Sequence, residues 1–402
     1  MKRGWETKTI GEVCDVVNGG TPKTGVLEYW GGKHLWITPA EMGKRLCPYV
    51  GDTERKISDL GLRDSSARML PPHSVILSSR APIGHLVINT KPMATNQGCK
   101  GLIPGKQLEH KFLYYYLTSI VEMLDSLGTG ATFRELSGGK LKEVTIPVPP
   151  LDEQRRIVGV LDEAFAGLAT AKANAEKNLQ NARALFESHL QSVFTHRGKG
   201  WVERPLSDLC DIKHGYAFEG ALFSSEGEYV LLTPGNFYED GGYRNRGSKQ
   251  KYYIGAIPRD YVLSEGDLLV VMTEQAAGLL GSPILIPRSG KFLHNQRLGL
   301  VSKKASAPWT NEFFFHVFNT QFVRRAIHSS ASGVKVRHTS PTKIGEVVVA
   351  FPTSLAEQRR IVSNLGTLSE ETQRLARLYS QKLAALEALK KSLLHQAFTG
   401  EL

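Results

Sequence analysis

The chain has 402 residues, more than one hydrophobic core usually serves, so two or more domains are expected. Hydrophobic residues at 41% and charged residues at 22% exclude a disordered chain, a collagen and a disulfide scaffold. Fifty Lys and Arg against 39 Asp and Glu leave a net charge of +11, which suggests a polyanionic partner.

The first residues, MKRGWETKTI, have no apolar segment behind their charges and do not read as a secretory signal. Over residues 1–150, short apolar runs alternate with Gly and Pro. SVIL at 74–77, HLVI at 85–88 and VTIPV at 144–148 predict strands, and residues 109–126 carry aromatics at helical spacing. After Pro149-Pro150 the composition changes. Residues 151–196 are almost free of Gly and Pro and rich in Ala, Leu, Glu and Gln, which predicts one long helix. Its apolar seam is read as Leu161, Ala164, Leu168, Ala171, Ala175, Asn178, Ala182 and Leu185.

The chain then starts again. GWVERPLSDLCDIKHG at 200–215 repeats GWETKTIGEVCDVVNG at 4–19 with an offset of 196 residues. Asn295-Gln296 answers Asn96-Gln97, and LAEQRRIV at 355–362 answers LDEQRRIV at 151–158. Strands are expected at 267–272 and 346–351 and a helical aromatic stretch at 311–329. A second long helix begins at Ser354-Leu355-Ala356-Glu357, which has capping-box spacing; its stripe is read as Ile361, Leu365, Leu368, Leu375, Leu378, Leu386, Leu389 and Leu393. The expected organisation is 1–150, 151–196, 197–354 and 355–402. This gives two α/β (α+β) heads in tandem, each followed by a long helix, with the helices paired as an antiparallel coiled coil in a pseudo-two-fold dumbbell.

The charge follows the repeat. Residues 1–150 hold 19 Lys and Arg against 14 Asp and Glu, and residues 197–354 hold the same numbers, so each head carries +5. The helical segments carry −1 and +2. Two basic heads on a spacer suit two places on one DNA duplex; a solvated surface with a Lys and Arg surplus explains the charge equally well.

No catalytic pattern stands out. There is no GxxxxGK[ST] loop, no HExxH pair and no Cys/His cluster at metal spacing. Cys14, Cys47, Cys99 and Cys210 lie far apart without CxxC spacing, and no apolar run reaches the ~18–20 residues of a membrane helix. These readings point to a reducing cytoplasm, no membrane and no resident cofactor or metal.

GGTPKT (19–24), EYWGG (28–32), LWIT (35–38), SSRAPIG (78–84), TNQGCKGLIP (95–104), GTGATF (128–133), VTIPVPPLDEQRRIV (144–158) and the ending LLHQAFTGEL (393–402) resemble the specificity subunit of a Type I restriction-modification system. The resemblance covers the whole chain. The second half departs from it at 271–278, VMTEQAAG, and at 215–220, GYAFEG, so the two heads are not expected to read the same bases. It implies that each head is a target-recognition domain reading half of a two-part site in double-stranded DNA. The helices would set the unread spacer and dock two methylation subunits and the restriction subunits. S-adenosylmethionine, ATP and Mg would belong to those partners, and this chain would perform no catalysis. The alternatives are a stand-alone DNA-modifying enzyme with an unrecognised site and a tandem-repeat scaffold that binds proteins and no DNA.

Residues common to both heads cannot discriminate two different half-sites. Base readers are therefore sought where the copies differ: Lys23, Thr24, His34, Arg80, Lys100 and Thr132 in the first head, and Tyr238, Arg244, Arg246, Glu274, Gln275, Arg297 and Lys335 in the second. Arg134 and Arg337 align with each other and suit a phosphate or a structural role. Val334-Lys335-Val336-Arg337 alternates and is read as a strand. Glu153, Gln154, Arg155 and Arg156, repeated as Glu357, Gln358, Arg359 and Arg360, suit a partner contact made twice; helix-start electrostatics is the competing explanation.

Overall fold

The computed structural model describes residues 4–45, 47–130, 134–275 and 277–402. The chain divides into Met1–Glu176 with Ser380–Leu402, and Lys177–Tyr379, so each long helix has one end in each unit.

The strands of the first unit are β1 (Glu6–Thr9), β2 (Cys14–Asn18), β3 (Trp30–Ile37), β4 (Tyr49–Val50), β5 (Arg55–Ile57), β6 (Val75–Ser79), β7 (Ile83–Asn89), β8 (Met93–Thr95), β9 (Cys99–Pro104) and β10 (Thr145–Val148). They form a five-stranded sheet in the order β2-β9-β6-β7-β4, a three-stranded sheet β5-β3-β8, and the pair β1-β10. All five residues of β6 are buried, as the run SVIL demands of a strand covered on both faces.

In the second unit the strands are β11 (Trp201–Pro205), β12 (Cys210–His214), β13 (Phe223–Ser224), β14 (Tyr229–Leu231), β15 (Tyr252–Tyr253), β16 (Leu268–Val271), β17 (Thr273–Glu274), β18 (Pro283–Leu285), β19 (Phe292–Leu293), β20 (Leu298–Lys303), β21 (Arg337–His338) and β22 (Val348–Pro352). Their main sheet runs β12-β20-β16-β18. The wiring repeats that of the first unit. Buried β6 pairs antiparallel with β9, Ser78 opposite Cys99, and buried β16 pairs antiparallel with β20, Val271 opposite Leu298. Strand pairs β1-β10 and β11-β22 close the start of each head onto its end.

Two expectations change in detail. The aromatic stretches are helix pairs, His110–Ser119 with Val121–Ser126 and Asn311–Asn319 with Gln321–Ser330. Thr320 has extended backbone and its hydroxyl accepts from Val323 N, so it caps the second helix of its pair where continuation was expected. Val334–Val336 forms a bend, and only Arg337 and His338 are strand.

The long helices are Leu151–Thr195 and Leu355–Thr399, 45 residues each and so about 68 Å long. The seam of the first holds as far as Ala182, then shifts by four-residue steps to Phe186 and Leu190, leaving Leu185 49% exposed. In the second, Leu378 and Leu389 are exposed, and Thr372, half-buried Tyr379 and Leu394 lie on the inner face. Within the first unit the helices run antiparallel. Lys390 Nζ sits over the Phe165 ring, while Arg156 Nη2, nine residues earlier, donates to Leu402 O. Phe398 packs edge-on against Phe112 and Tyr116, each ring pair being worth roughly 0.5–1.5 kcal/mol beyond burial, which fixes the chain end to the first head. In the second unit Leu190 shares a core with Ile361 and Leu365.

Candidate nucleic-acid interface

Three segments meet at the end of β6. Ser79 N donates to Gly98 O, which holds the Asn96–Gly98 turn, and Leu136 N donates to Ser79 O, which holds the segment around Glu135. Asn96 builds the turn itself: its Oδ1 accepts from Gly98 N and its Nδ2 donates to Thr21 Oγ1, tying in the loop that carries Lys23 and Thr24. The side chain of Glu135 lies 3.7 Å from both Arg80 Nη1 and Lys100 Nζ.

The second unit repeats these bonds at the end of β16. Met272 N donates to Arg297 O, Thr339 N donates to Met272 O, and Asn295 Oδ1 accepts from Arg297 N. The structural equivalents are therefore Arg80 and Thr273, Gly98 and Arg297, and Glu135 and His338. Gly19 and Gly215 are both required by close approach, because a Cβ there would lie 1.9 Å from Asn96 O and 2.1 Å from Asn295 O. The repeat is thus a common scaffold with different side chains mounted on it.

The scaffold brings some sequence candidates together and separates others. Arg80 and Lys100 converge in the first unit, with Lys23 and Thr24 exposed on the tethered loop. His34 lies on the other sheet, bonded to Asp59, and this bond with that of Lys33 holds the Asp59 carboxyl below its ordinary range. Thr132 lies outside the described residues. Gln275, Arg297 and Lys335 are exposed in the second unit. Tyr238 is exposed and flanked by Arg244, and its carbonyl takes a bond from Ser282 next to the loop after β17; Arg246 lies against Gly235.

Glu274 corrects the sequence reading. It is 1% exposed; its Oε2 accepts from Leu279 N and Leu280 N, and its Oε1 lies 3.5 Å from Arg337 Nη1 and 3.8 Å from His328 Nδ1. A carboxylate so engaged anchors the loop and cannot reach a base edge. Arg337, also bonded to His328 O, is its structural partner, while the equivalent Arg134 pairs with half-exposed Asp125. Burial lowers the neighbouring Arg324 guanidinium to about 10, opposed by Glu274, Glu239 and Asp240. Lys100 is almost covered, its side chain 7% exposed, so it acts through Glu135 more readily than at the surface.

Gln154 and Gln358 require the same kind of correction. Both are fully buried. Gln154 Oε1 accepts from Glu109 N, and its Nε2 donates to Gln107 O and Pro149 O. Gln358 Oε1 accepts from Thr310 N, and its Nε2 donates to Pro308 O and Pro352 O. Each glutamine satisfies backbone groups where a helix leaves its head, so neither is available to a partner. The charged members point outward as i,i+3 pairs, Arg156 with Glu153 and Arg360 with Glu357; Arg155 pairs with Asp152, and Arg359 is exposed.

Four residues escaped the sequence reading. Glu135, Thr273 and His338 occupy the convergence points, and Tyr216, 40% exposed, backs the second turn through backbone bonds to His294 and Gln296. The signal was present: each differs between the copies, and Tyr216 stands where Gly20 does.

His294, beneath that second turn, is fully buried, and burial lowers its imidazole to about 4. Its Nε2 bonds Leu298 O, whereas Nδ1 has no partner to receive a proton. The unfolded chain takes up this proton near pH 6.5 and the folded unit only near 4. The His294 contribution to stability is therefore full well above pH 6.5 and falls by about 3 kcal/mol as pH drops to 4, and buried His316, lowered to about 4 in the same unit, adds a loss of the same sign. Thermal unfolding between pH 7 and 4 should show this loss, and His294→Gln should remove about one proton from the slope.

Among the described residues no helix is long and apolar enough to cross a membrane, and no three His, Cys, Asp or Glu side chains are placed to hold a metal. The model of the Type I restriction modification DNA specificity domain matches residues 2–179 and again 198–384. The Type I restriction enzyme MjaIX specificity subunit of Methanocaldococcus jannaschii is 33% identical over 232 residues, 54% of each chain. The EcoR124I/EcoR124II specificity subunit of Escherichia coli is 32% identical over 39% of this chain and 40% of its own length. This chain thus spans about half the length, or less, of these curated relatives. The StySPI specificity subunit of Salmonella potsdam is 24% identical across all of this chain and 90% of its own. The fold is shared with a solved chain of the type I R-M system (TM-score 0.78, 19% identity, 100% of this chain and 99% of that one). It is shared also with the HsdS subunit from Thermoanaerobacter tengcongensis (TM-score 0.65, 19% identity, 100% and 98%). With its two halves each matched, the chain belongs to the Type I restriction modification DNA specificity domain family.

Proposed function

We propose that this chain is the DNA sequence-specificity subunit of a Type I restriction-modification complex and performs no bond chemistry itself. One observation carries the reading: the specificity domain occurs twice, on repeated backbone wiring that presents different side chains. Each unit reads one half of a two-part duplex site. Exposed Arg155 and Arg359, at equivalent places on the two long helices, suit a contact made twice, one per methylation subunit. Restriction subunits complete the assembly in the cytoplasm. S-adenosylmethionine, ATP and Mg belong to those partners.

The test is reconstitution with the methylation subunits of the same host. The expected result is adenine methylation at a two-part site, with binding that weakens steeply as salt rises. Methylation or cleavage by the chain alone, given S-adenosylmethionine or Mg²⁺, overturns the reading. So does an absence of DNA binding at any salt with the partners present.

A further inference from the structure

We infer that base selection is concentrated at one register position common to both units: Arg80 with Glu135 in the first, and Thr273 with His338, beside Arg297, in the second. The inference rests on the reading of the chain as a DNA-specificity subunit and names the side chains that separate its two half-sites.

The equivalence comes from backbone bonds. Arg80 bridges to Glu135 and Glu135 to Thr129; Thr273 bridges to His338 and His338 to Ser332. The flanking bonds, Ser79 N to Gly98 O with Leu136 N to Ser79 O, recur as Met272 N to Arg297 O with Thr339 N to Met272 O. The same place in two copies of one scaffold therefore holds an arginine–glutamate pair in one and a threonine–histidine pair in the other. Shared geometry with unlike chemistry is what two different readings from one frame require.

The side chains can act on bases. Arg80 and Glu135 are 35% and 42% exposed, and at 3.7 Å their charges are oriented without consuming a hydrogen bond. Arg80 can therefore address guanine O6 and N7, and Glu135 can accept from cytosine N4. Lys100, behind them, holds the glutamate in place. Arg80 lies across Gly98, where a Cβ would come within 3.0 Å of its Nε. In the second unit the residue equivalent to Gly98 is Arg297 itself, so an exposed arginine is carried by the turn and the strand position is left to Thr273. Thr273 Oγ1 and His338 Nδ1, 3.1 Å apart, form a hydrogen-bonded pair in which the imidazole tautomer sets which partner donates.

The test exchanges the pairs in the full chain, assembled with its methylation subunits, and maps modified adenines across a host genome. R80T/E135H should change one half of the methylated site and leave the other as in the wild type. Preference at a base of the altered half should shift by roughly tenfold or more. E135Q, which keeps side-chain size and the backbone bridge, should relax the same half. T273R/H338E should change the opposite half. Unchanged preference in both halves for E135Q or for either exchange overturns the inference while leaving the function reading intact. A wild-type complex that methylates without sequence preference overturns the function reading, and the inference with it.

Discussion

Glu274→Ala is expected to destabilise the second unit by about 2–4 kcal/mol, the cost of leaving covered backbone amides and a partly exposed guanidinium without their acceptor. The carboxylate is the common acceptor for Leu279 N and Leu280 N and the charge partner of Arg337, in a position that is 1% exposed. Its loss strands the buried amide of Leu280 and the partly buried amide of Leu279 and leaves the Arg337 guanidinium and the half-buried His328 facing a void. Arg324, already lowered by burial, loses the charge that most opposes that shift. The loop after β17 and the segment leading to β21 both hang on this carboxylate, so, on the proposed function, sequence preference in the half-site assigned to the second unit should decline along with stability. Glu274→Gln keeps an acceptor for the amides and should cost less. Thermal unfolding measures the first effect and a map of modified adenines the second. A base-reading role makes the opposite prediction: one altered base preference at full stability.

This residue also shows what the sequence could reveal. The repeat, the strands β6, β7, β10, β16 and β22 and the two long helices were legible because they rest on pattern: a duplicated phrase, apolar runs bounded by Gly and Pro, and 45 residues of helix formers. Burial of polar side chains was not legible. Glu274 sits among residues that differ between the copies and is charged, which is how a base reader looks in a string; only its buried amide partners distinguish it. Gln154 and Gln358 lie within a charged helix start, yet the helical turn takes them inward while their arginine neighbours stay at the surface. Conversely, Glu135 and His338 each follow an arginine common to both copies, and attention to the common residue hid the variable one beside it. Register bonds between β6 and its neighbours, and between β16 and its own, restore that equivalence.

Removing one heptad from each long helix should abolish recognition of the native site and create a site with a spacer shorter by about three base pairs. Seven residues amount to about 10 Å of helix, and a duplex rises about 3.4 Å per base pair. Residues 176–182 and 373–379 are suitable cuts, since the first crosses and the second ends at the boundary between the two units, where both helices pass from one to the other. Seven residues make nearly two full turns, so the inward face represented by Ala175 and Thr372 continues with a rotation of only about 20°. Cutting five residues instead turns the remaining helix by about 140° and sets that face outward, which should cost stability and site recognition together. Mapping modified adenines distinguishes the outcomes. A spacer shortened in step with the heptad cut means that helix length is the ruler. An unchanged spacer after that cut means that the helices only tether the two readers, and the separation of the half-sites must then be imposed by the partners.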